Sequence, residues 1–167
     1  GGMVTTNDAK IADLVKRLRH CGRKGQYEHD LIGYTARLNS ANAAVGIEQL
    51  KMLEQWNEKR RSVAAKYDAM LKGVGDLRLP PKPSKDFEPV YHQYALLTKR
   101  RNELKAHLES KGVGVGVHYD IPIHLQPIYR DMYRFKEGML PITERLCKEV
   151  LTLPMFVDIT DEQVKYV

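Results

Sequence analysis

The chain has 167 residues, of which 43% are hydrophobic and 29% are charged, and its formal net charge is +6. This composition is typical of a folded globular protein and excludes an intrinsically disordered chain. No apolar run reaches the ~20 residues that a membrane-spanning helix needs, so no membrane partner is expected. The two cysteines, Cys21 and Cys147, are not spaced for a disulfide framework or a cysteine metal site.

The positive charge raises the question of nucleic-acid binding, because a basic surface attracts polyanions. In the predicted long helix, however, basic and acidic side chains are interleaved, which favours a solvated helix face. These residues are Lys59, Arg60, Arg61 and Lys66, with Glu48, Glu54 and Glu58. No nucleic-acid partner is therefore expected, and a basic nucleic-acid-binding domain stays open only as an alternative. The start of the sequence lacks the features of a signal peptide, so a cytoplasmic location is expected.

The N-terminal region predicts a strand, a helix and a long loop. Residues 3–6 are β-prone and are expected to close a strand. Asn7 and Asp8 then cap a helix that has one apolar face and ends near Gly22. Residues 23–38 show no clear periodicity and predict a long loop. Loops of this length inside compact domains are usually functional or disordered.

A long helix is predicted after this loop. Asn39 is a good N-cap, because its side-chain oxygen can accept a hydrogen bond from an early helical N–H group. Apolar residues then recur at helical spacing over residues 40–72, and Gly73 is the expected C-terminal stop. At ~1.5 Å per residue this helix extends roughly 50 Å, which is too long for one small domain to cover.

The remaining sequence predicts strands that alternate with helices, as in an α/β fold. Pro80, Pro81 and Pro83 indicate an irregular connection. The predicted strands cover residues 90–97 and 113–118, and the predicted helices cover residues 102–111, 141–150 and 161–167. Pro141 fits the first turn of its helix, where the missing N–H group would have no helical partner.

Several short motifs occur in a fixed order along the chain. Gly33-Tyr34-Thr35-Ala36-Arg37 leads into a helix that contains Ala43-Ala44 and Gln49-Leu50. The other motifs are Gly1-Gly2-Met3-Val4-Thr5-Thr6-Asn7-Asp8, Val117-His118-Tyr119, Pro122-Ile123-His124-Leu125-Gln126-Pro127 and Leu151-Thr152-Leu153-Pro154-Met155. Together they resemble the DegT/DnrJ/EryC1/StrS family of pyridoxal-phosphate-dependent sugar aminotransferases, in which a Gly-Tyr-Asn-x-Arg loop precedes the helix. The resemblance covers almost every residue.

The resemblance implies an α/β fold that is the C-terminal portion of an aspartate-aminotransferase-like (type I) pyridoxal-phosphate enzyme. Residues 1–50 would end the large cofactor-binding domain and include an active-site and dimer loop. Residues 51–167 would form the linking helix and a small α+β domain. In the family, the Schiff-base lysine lies shortly before the Gly-Gly motif, so the chain is expected to be a fragment that is inactive alone. Lys10, Lys16 and Lys24 do not lie in the lysine motif.

The resemblance further implies that Thr35 and Arg37 bind the cofactor. In the family this loop reaches across the dimer, and its asparagine contacts the cofactor phosphate of the neighbouring subunit. Thr35 stands at the asparagine position, where a hydroxyl offers one donor and an amide would offer two. Arg37 offers a planar fork that suits phosphate or carboxylate. The alternative is a structural arginine that satisfies loop carbonyls.

Five further residues are candidates for substrate binding: His118, Tyr119, His124, Tyr27 and His29. The resemblance places the first three beside the sugar-nucleotide pocket, after a predicted strand end of the kind that opens onto ligand crevices. The alternative is a packed, hydrogen-bonded histidine, and a metal site lacks a third ligand with convincing spacing. The last two lie in the long loop, where they line the dimer interface or the active-site mouth, or are simply exposed.

The reaction implied by the resemblance moves an amino group, usually from glutamate or glutamine, to a keto sugar attached to a nucleotide. Its cofactor is pyridoxal 5'-phosphate, which acts as an electron sink. The expected partners are the nucleotide sugar, the amino donor and a second copy in a homodimer, and polysaccharide biosynthesis is the expected process. The alternative from another class is a non-catalytic dimerisation or interaction module.

Overall fold

The computed structural model describes residues 2–167, and the chain divides into two compact units, Gly1–Leu53 and Glu54–Val167. In chain order the elements are α1 (Ala9–Leu18), α2 (Ser40–Leu71), β1 (Tyr94–Leu97), α3 (Arg101–Ser110), a 3-10 turn (Ile123–Leu125), α4 (Pro127–Tyr133), α5 (Pro141–Glu149), β2 (Val150–Leu153) and α6 (Asp161–Tyr166). The boundary between the units falls within α2. Among residues 2–167, every helix is too short or too polar to cross a membrane.

Side-chain caps start both helices of the first unit, as the sequence predicts. The Asp8 carboxylate accepts hydrogen bonds from two first-turn N–H groups of α1, at 2.7 and 3.3 Å. The Asn39 side-chain oxygen accepts two from the first turn of α2, at 2.8 and 3.4 Å. These donors have no partner inside their own helix, so each cap stabilises a helix start. The predicted start of α1 is confirmed, but α1 ends at Leu18 rather than near Gly22. The prediction of α2 is confirmed, and α2 ends at Leu71, shortly before Gly73 with its φ of +78°.

The segment between α1 and α2 folds back on itself and forms neither a helix nor an extended strand. An isolated antiparallel bridge joins His20 to Thr35. A Cβ atom at Gly33 would collide with the backbone of Cys21 and Gly22. Only glycine permits so close an approach. The predicted loop is therefore confirmed. Gly33 of the Gly-Tyr motif lets the end of the loop pack against its start at Cys21 and Gly22.

The second unit is built around a two-stranded antiparallel sheet. β1 and β2 pair along their full lengths, with Tyr94 opposite Leu153. The buried apolar core around this sheet consists of Val63, Ala64, Tyr67, Tyr91, Tyr94, Leu96, Leu108, Val113, Leu151, Leu153 and Val164. The Tyr67 hydroxyl donates to the Pro154 carbonyl at 2.9 Å, and the Tyr94 hydroxyl donates to the Asp68 carboxylate at 2.6 Å. Both buried hydroxyls are thus satisfied, as a stable core requires.

The predicted strand over residues 3–6 is wrong. These residues have no strand partner among residues 2–167, and the Met3 side chain is 89% exposed. β propensity reflects the fit of a side chain to a paired, half-buried surface, which the described residues do not provide at this place. The predicted strand over residues 90–97 is confirmed only from Tyr94 onward. Tyr91 has a φ of +47°, which interrupts an extended strand.

The predicted strand over residues 113–118 is also wrong, because only Gly116 forms a bridge, with Thr152. The Val113 N–H group donates instead to the Leu108 carbonyl at 2.9 Å, at the end of α3. Because this N–H group caps the helix, it is not available for hydrogen bonding to a neighbouring strand. The predictions of α3, α5 and α6 are confirmed within one residue at each end. Sequence patterns did not predict β2 or α4.

Candidate active site

Hydrogen bonds to the segment after α1 fix the backbone around Thr35. The Cys21 N–H group donates to the Tyr34 carbonyl at 2.9 Å, and the Ala36 N–H group donates to the Arg19 carbonyl at 3.0 Å. The Thr35 hydroxyl lies 3.5 Å from the sulfur of Cys21. The backbone thus places this hydroxyl beside an exposed thiol.

Arg37 lies between Thr35 and the cap of α2, and its side chain is exposed. Within residues 2–167 its side chain forms neither a hydrogen bond nor an ion pair. Burial lowers the pKa of His20, and the positive charges of Arg37 and Arg23 lower it further. The loop therefore presents cationic groups beside an imidazole of lowered pKa, ahead of the positive end of a long helix. This combination favours an anion.

His29 approaches the same turn as Thr35. Its Nδ1 atom lies 2.9 Å from the Cys21 carbonyl oxygen. Because a carbonyl oxygen only accepts, Nδ1 carries the hydrogen and donates it. Thr35 and His29 thus both contact Cys21, one at its sulfur and one at its backbone. Tyr27 is 84% exposed, and its hydroxyl accepts a hydrogen bond from the Gln26 amide at 3.2 Å, so its ring stays at the surface of the first unit.

An ion pair holds the loop of the first unit to α1. The Arg17 guanidinium donates to the Asp30 carboxylate, and it also lies 3.4 Å from Asp13, one helical turn earlier. Hydrogen bonding to Arg17 lowers the pKa of Asp30 despite partial burial. The pair ties the loop that carries His29 to the helix that precedes it.

In the second unit, His118 and Tyr119 form one aromatic contact. Their ring centroids lie 5.6 Å apart in an edge-to-face arrangement. The Nδ1 atom of His118 lies 3.1 Å from the Thr152 hydroxyl on β2, in the same region where Gly116 bridges Thr152. Tyr119 is 74% exposed. The sheet therefore orients the histidine, while the tyrosine ring projects where a ligand could contact it.

His124 lies inside the second unit, on the 3-10 turn, and is 7% exposed. Its Nε2 atom lies 3.0 Å from a carboxylate oxygen of Glu144, which is equally buried. Glu144 also accepts hydrogen bonds from the N–H groups of Gly138 and Leu140. The ring of Phe135 packs edge-on to the imidazole at 6.5 Å. His124 is thus a packed, hydrogen-bonded histidine, and any ligand contact must use its other ring nitrogen.

The structure distributes the candidate residues over both units. The first unit contains Tyr27, His29, Thr35 and Arg37, and the second contains His118, Tyr119 and His124. Sequence reasoning missed three residues that hold the candidates in place: Cys21, Thr152 and Glu144. For Thr152, the signal was a hydroxyl residue inside a buried apolar strand. For Glu144, it was a carboxylate in the first turn of a helix that starts with proline. No pattern singled out Cys21.

A family model described as the DegT/DnrJ/EryC1/StrS aminotransferase family matches residues 1–167. The chain therefore belongs to this family. It is 40% identical to a "Pleiotropic regulatory protein" of Geobacillus stearothermophilus, over 100% of this chain and 45% of that protein. It is 37% identical to the dTDP-3-amino-3,4,6-trideoxy-alpha-D-glucose transaminase of Streptomyces venezuelae, over 93% of this chain and 40% of that protein. The chain thus spans less than half the length of these curated relatives.

Solved structures of aminotransferases have the same fold. The structure of S. venezuelae DesV, in complex with a ketimine intermediate, matches with a TM-score of 0.89 and 34% identity, over 96% of this chain and 43% of that one. The structure of NtdA from Bacillus subtilis, with bound cofactor PMP, matches with a TM-score of 0.83 and 26% identity, over 96% of this chain and 38% of that one. The predicted fold class, the C-terminal portion of such an enzyme, is confirmed by these matches.

Proposed function

We propose that this chain supplies one part of a pyridoxal-phosphate-dependent aminotransferase that transfers an amino group to a nucleotide-linked keto sugar. The observation that carries the proposal is the Thr35–Arg37 loop, which presents exposed donors ahead of a capped helix in a chain that matches the family throughout. In this assignment residues 1–50 end the cofactor-binding domain, and residues 51–167 form the linking helix and small domain. The Streptomyces relative, whose name specifies a dTDP-sugar transaminase, supports a nucleotide sugar as substrate.

The residues present fit the phosphate of the cofactor. The Thr35 hydroxyl and the Arg37 guanidinium are exposed donors, and the amide dipoles of α2 add a positive end nearby. Charge-assisted hydrogen bonds from arginine to phosphate are among the strong ones in proteins. When bound, the cofactor supplies an electron sink for amino-group transfer. Thr35 and Arg37 would hold its phosphate and so orient it.

The other candidates are proposed, each within its own unit, as substrate contacts. Tyr119 offers an exposed ring and hydroxyl, and His118 is oriented by its contact with Thr152. His29 has its hydrogen on Nδ1, which leaves Nε2 free to accept a hydrogen bond. Tyr27 is exposed and can cover a bound ligand. His124 contributes only through Nδ1.

The assembly is also part of the proposal. A homodimer would let the Thr35–Arg37 loop serve the cofactor of the neighbouring subunit, with a cytoplasmic location and a role in polysaccharide biosynthesis. Exposed apolar side chains in the first unit, including Ile47 and Leu50, fit a surface that a partner covers. The same observation favours the alternative of a non-catalytic interaction module. Retention of the cofactor separates the two.

The test uses a hybrid protein, in which this chain replaces the 40% of the S. venezuelae transaminase that it matches. The expected hybrid folds and retains pyridoxal phosphate through dialysis, as measured by absorbance. Arg37→Ala should weaken retention by about one to two decades, because a hydrogen bond to a charged group is worth roughly 1.5–3 kcal/mol. Thr35→Asn should strengthen retention, because an amide offers a second donor. The matched control is Arg145→Ala, which removes an exposed arginine on α5.

A folded hybrid that retains no cofactor contradicts the proposal. Equal retention by the hybrid and its Arg37→Ala variant contradicts the assignment of the loop. Mixed subunits test whether the loop acts across an interface. Arg37→Ala hybrids are combined with hybrids whose Schiff-base lysine is replaced, so that a mixed dimer has one site with both defects and one with neither. If the loop acts across the interface, the mixed dimers should recover part of the activity. If heterodimers form but recover no activity, the loop serves the site of its own subunit.

A further inference from the structure

The buried carboxylate of Glu144 gathers more donors than any helix start requires. It lies in the first turn of α5 and is 7% exposed. The Gly138 N–H group donates to both of its oxygens, at 2.8 and 2.9 Å, and the Leu140 N–H group donates to one of them at 3.1 Å. The His124 ring adds a third donor from the 3-10 turn. One side chain thus joins the start of α5, the preceding turn and the imidazole.

These contacts keep the Glu144 carboxylate ionised. Hydrogen bonds from Gly138, Leu140 and His124 lower its pKa, and they outweigh the effect of burial, which acts in the opposite direction. An ionised carboxylate only accepts hydrogen bonds. The 3.0 Å contact to the Nε2 atom of His124 therefore requires a hydrogen on Nε2. The pair fixes which ring nitrogen carries the hydrogen, as a carboxylate does for histidines in many functional sites.

The other nitrogen of His124 is left available. Within residues 2–167, the Nδ1 atom of His124 forms no hydrogen bond, whereas Nε2 contacts Glu144. Phe135 packs edge-on to the ring at 6.5 Å and limits its rotation. In the neutral ring, one nitrogen of His124 thus donates to Glu144, and the other nitrogen is an acceptor.

We propose that Glu144 is a positioning residue that holds His124 with its hydrogen on Nε2, so that Nδ1 accepts a hydrogen bond from a hydroxyl group of a nucleotide-sugar ligand. The tautomer part stands on the geometry alone. The ligand part rests on the proposed aminotransferase function. With the hydrogen on Nδ1 instead, the ring would donate to a ligand hydroxyl rather than accept from it, so the tautomer sets the direction of this hydrogen bond.

The test of the tautomer uses the full chain, labelled with ¹⁵N and observed at neutral pH by long-range proton–nitrogen correlation of the histidine rings. The expected result is one form of neutral His124, with Nε2 protonated and Nδ1 unprotonated. In Glu144→Gln the neutral ring should become a mixture of both forms, because the amide can either accept from or donate to it. Glu144→Asp keeps the charge on a shorter side chain and should keep more of the original form than Glu144→Gln does.

The matched control is Glu137→Gln, which removes an exposed carboxylate that pairs with Lys148 rather than with His124. Its His124 spectrum should equal that of the unmodified chain. A neutral His124 with the hydrogen on Nδ1 in the unmodified chain overturns the proposal. So does an unchanged tautomer in a Glu144→Gln chain that remains folded. Should Glu144→Gln unfold, the spectra of the unmodified chain and of Glu144→Asp decide the question.

The ligand part uses dTDP-glucose as the probe, added to the same labelled chain. A hydroxyl that donates to Nδ1 should shift the ¹⁵N resonance of that atom, and Glu144→Gln should weaken the apparent affinity by about threefold to tenfold. No shift of Nδ1 at saturating probe overturns the ligand part. A hybrid enzyme that retains no cofactor would instead contradict the proposed function, and it leaves the tautomer result unaffected. The two failures are therefore distinguishable.

Discussion

The two compact units differ in what they do with their apolar side chains. Among the described residues, the buried hydrophobic ones all lie between Val63 and Val164, within the second unit. The first unit contributes none of them, and it leaves Ile32 and Leu50 96% and 67% exposed. Its order comes from helix caps, backbone bridges and the pair of Arg17 with Asp30.

This difference indicates that the second unit has its own source of stability and the first unit does not. A buried apolar side chain contributes about 1.5–3 kcal/mol relative to an exposed one, so the second unit has a core that can hold it together. Hydrogen bonds contribute about 0.5–1.5 kcal/mol each, and those in the first unit are mostly exposed. Its apolar side chains stabilise it only when another surface covers them.

The largest expected effect comes from one substitution made in each unit. Leu151→Ala removes a side chain that is fully buried on β2, and it should lower the free energy of unfolding of the second unit by about 2–5 kcal/mol. Leu50→Ala removes the same atoms from an exposed position of α2, and it should change the free energy by less than about 0.5 kcal/mol. Urea denaturation followed by fluorescence of Trp56, the only tryptophan, measures the second unit.

Amide hydrogen exchange resolves the first unit in the same samples. Equal losses of unfolding free energy from both substitutions would contradict the contrast between the units, because the atoms removed are identical and only their burial differs. A large loss from Leu50→Ala alone would show that the first unit has a core of its own.

Local signals in the sequence predicted the helices of both units except α4. The side chains of Asp8 and Asn39 cap the helices whose starts they predict, because a cap acts within three residues. The sheet was harder to predict. β2 begins at the residue that follows α5, and its pairing with β1 spans more than fifty residues of sequence. Register of that kind is decided by tertiary packing rather than by local preference.

The candidate site divides in the same way. The Gly-Tyr-x-x-Arg motif predicted an exposed anion-binding loop, and the structure has Arg37 exposed ahead of the α2 cap. The assignments of all seven candidate residues stay predictions. The contact between His124 and Glu144 joins residues 20 positions apart, across α4 and a turn, so no helical or strand periodicity could reveal it. Tertiary packing, which sequence patterns do not report, brings Glu144 to His124.

The second prediction concerns association of the first unit. The isolated chain should self-associate, because its exposed apolar side chains favour a covering partner. Leu50→Gln should weaken this association by about tenfold or more, since an apolar side chain buried on binding is worth about 1.5–3 kcal/mol. Sedimentation velocity over a range of concentrations measures it. Val74→Gln, at an exposed position of the second unit, is the control. A monomer at every concentration would refute the prediction.

The third prediction concerns the lysines of the first unit. Lys10, Lys16 and Lys24 are exposed and are not held in the apolar surroundings that favour a nucleophilic neutral amine. The chain alone should therefore form no stoichiometric adduct between pyridoxal phosphate and one specific lysine. Borohydride reduction followed by peptide mapping measures this. Scattered substoichiometric labelling fits the prediction, whereas complete labelling of one lysine would place the reactive amine within this chain.

The smallest expected effect is a difference in acid sensitivity. Both units contain a carboxyl group whose pKa is lowered by hydrogen bonding, Asp30 by Arg17 and Glu144 chiefly by the Gly138 N–H group. A group with a lowered pKa in the folded state stabilises the fold above its unfolded pKa, about 4.3 for glutamate, and that stability is lost as the pH falls through the lower folded value.

Glu144 is buried, whereas Asp30 forms a partly exposed pair that solvent screens. Denaturation midpoints measured between neutral pH and the acid limit should therefore lose more of their pH dependence in Glu144→Gln than in Asp30→Asn. If Asp30→Asn has the larger effect, the ion pair of the first unit stabilises this chain more than the buried carboxylate does, and the contrast between the units does not extend to their charges.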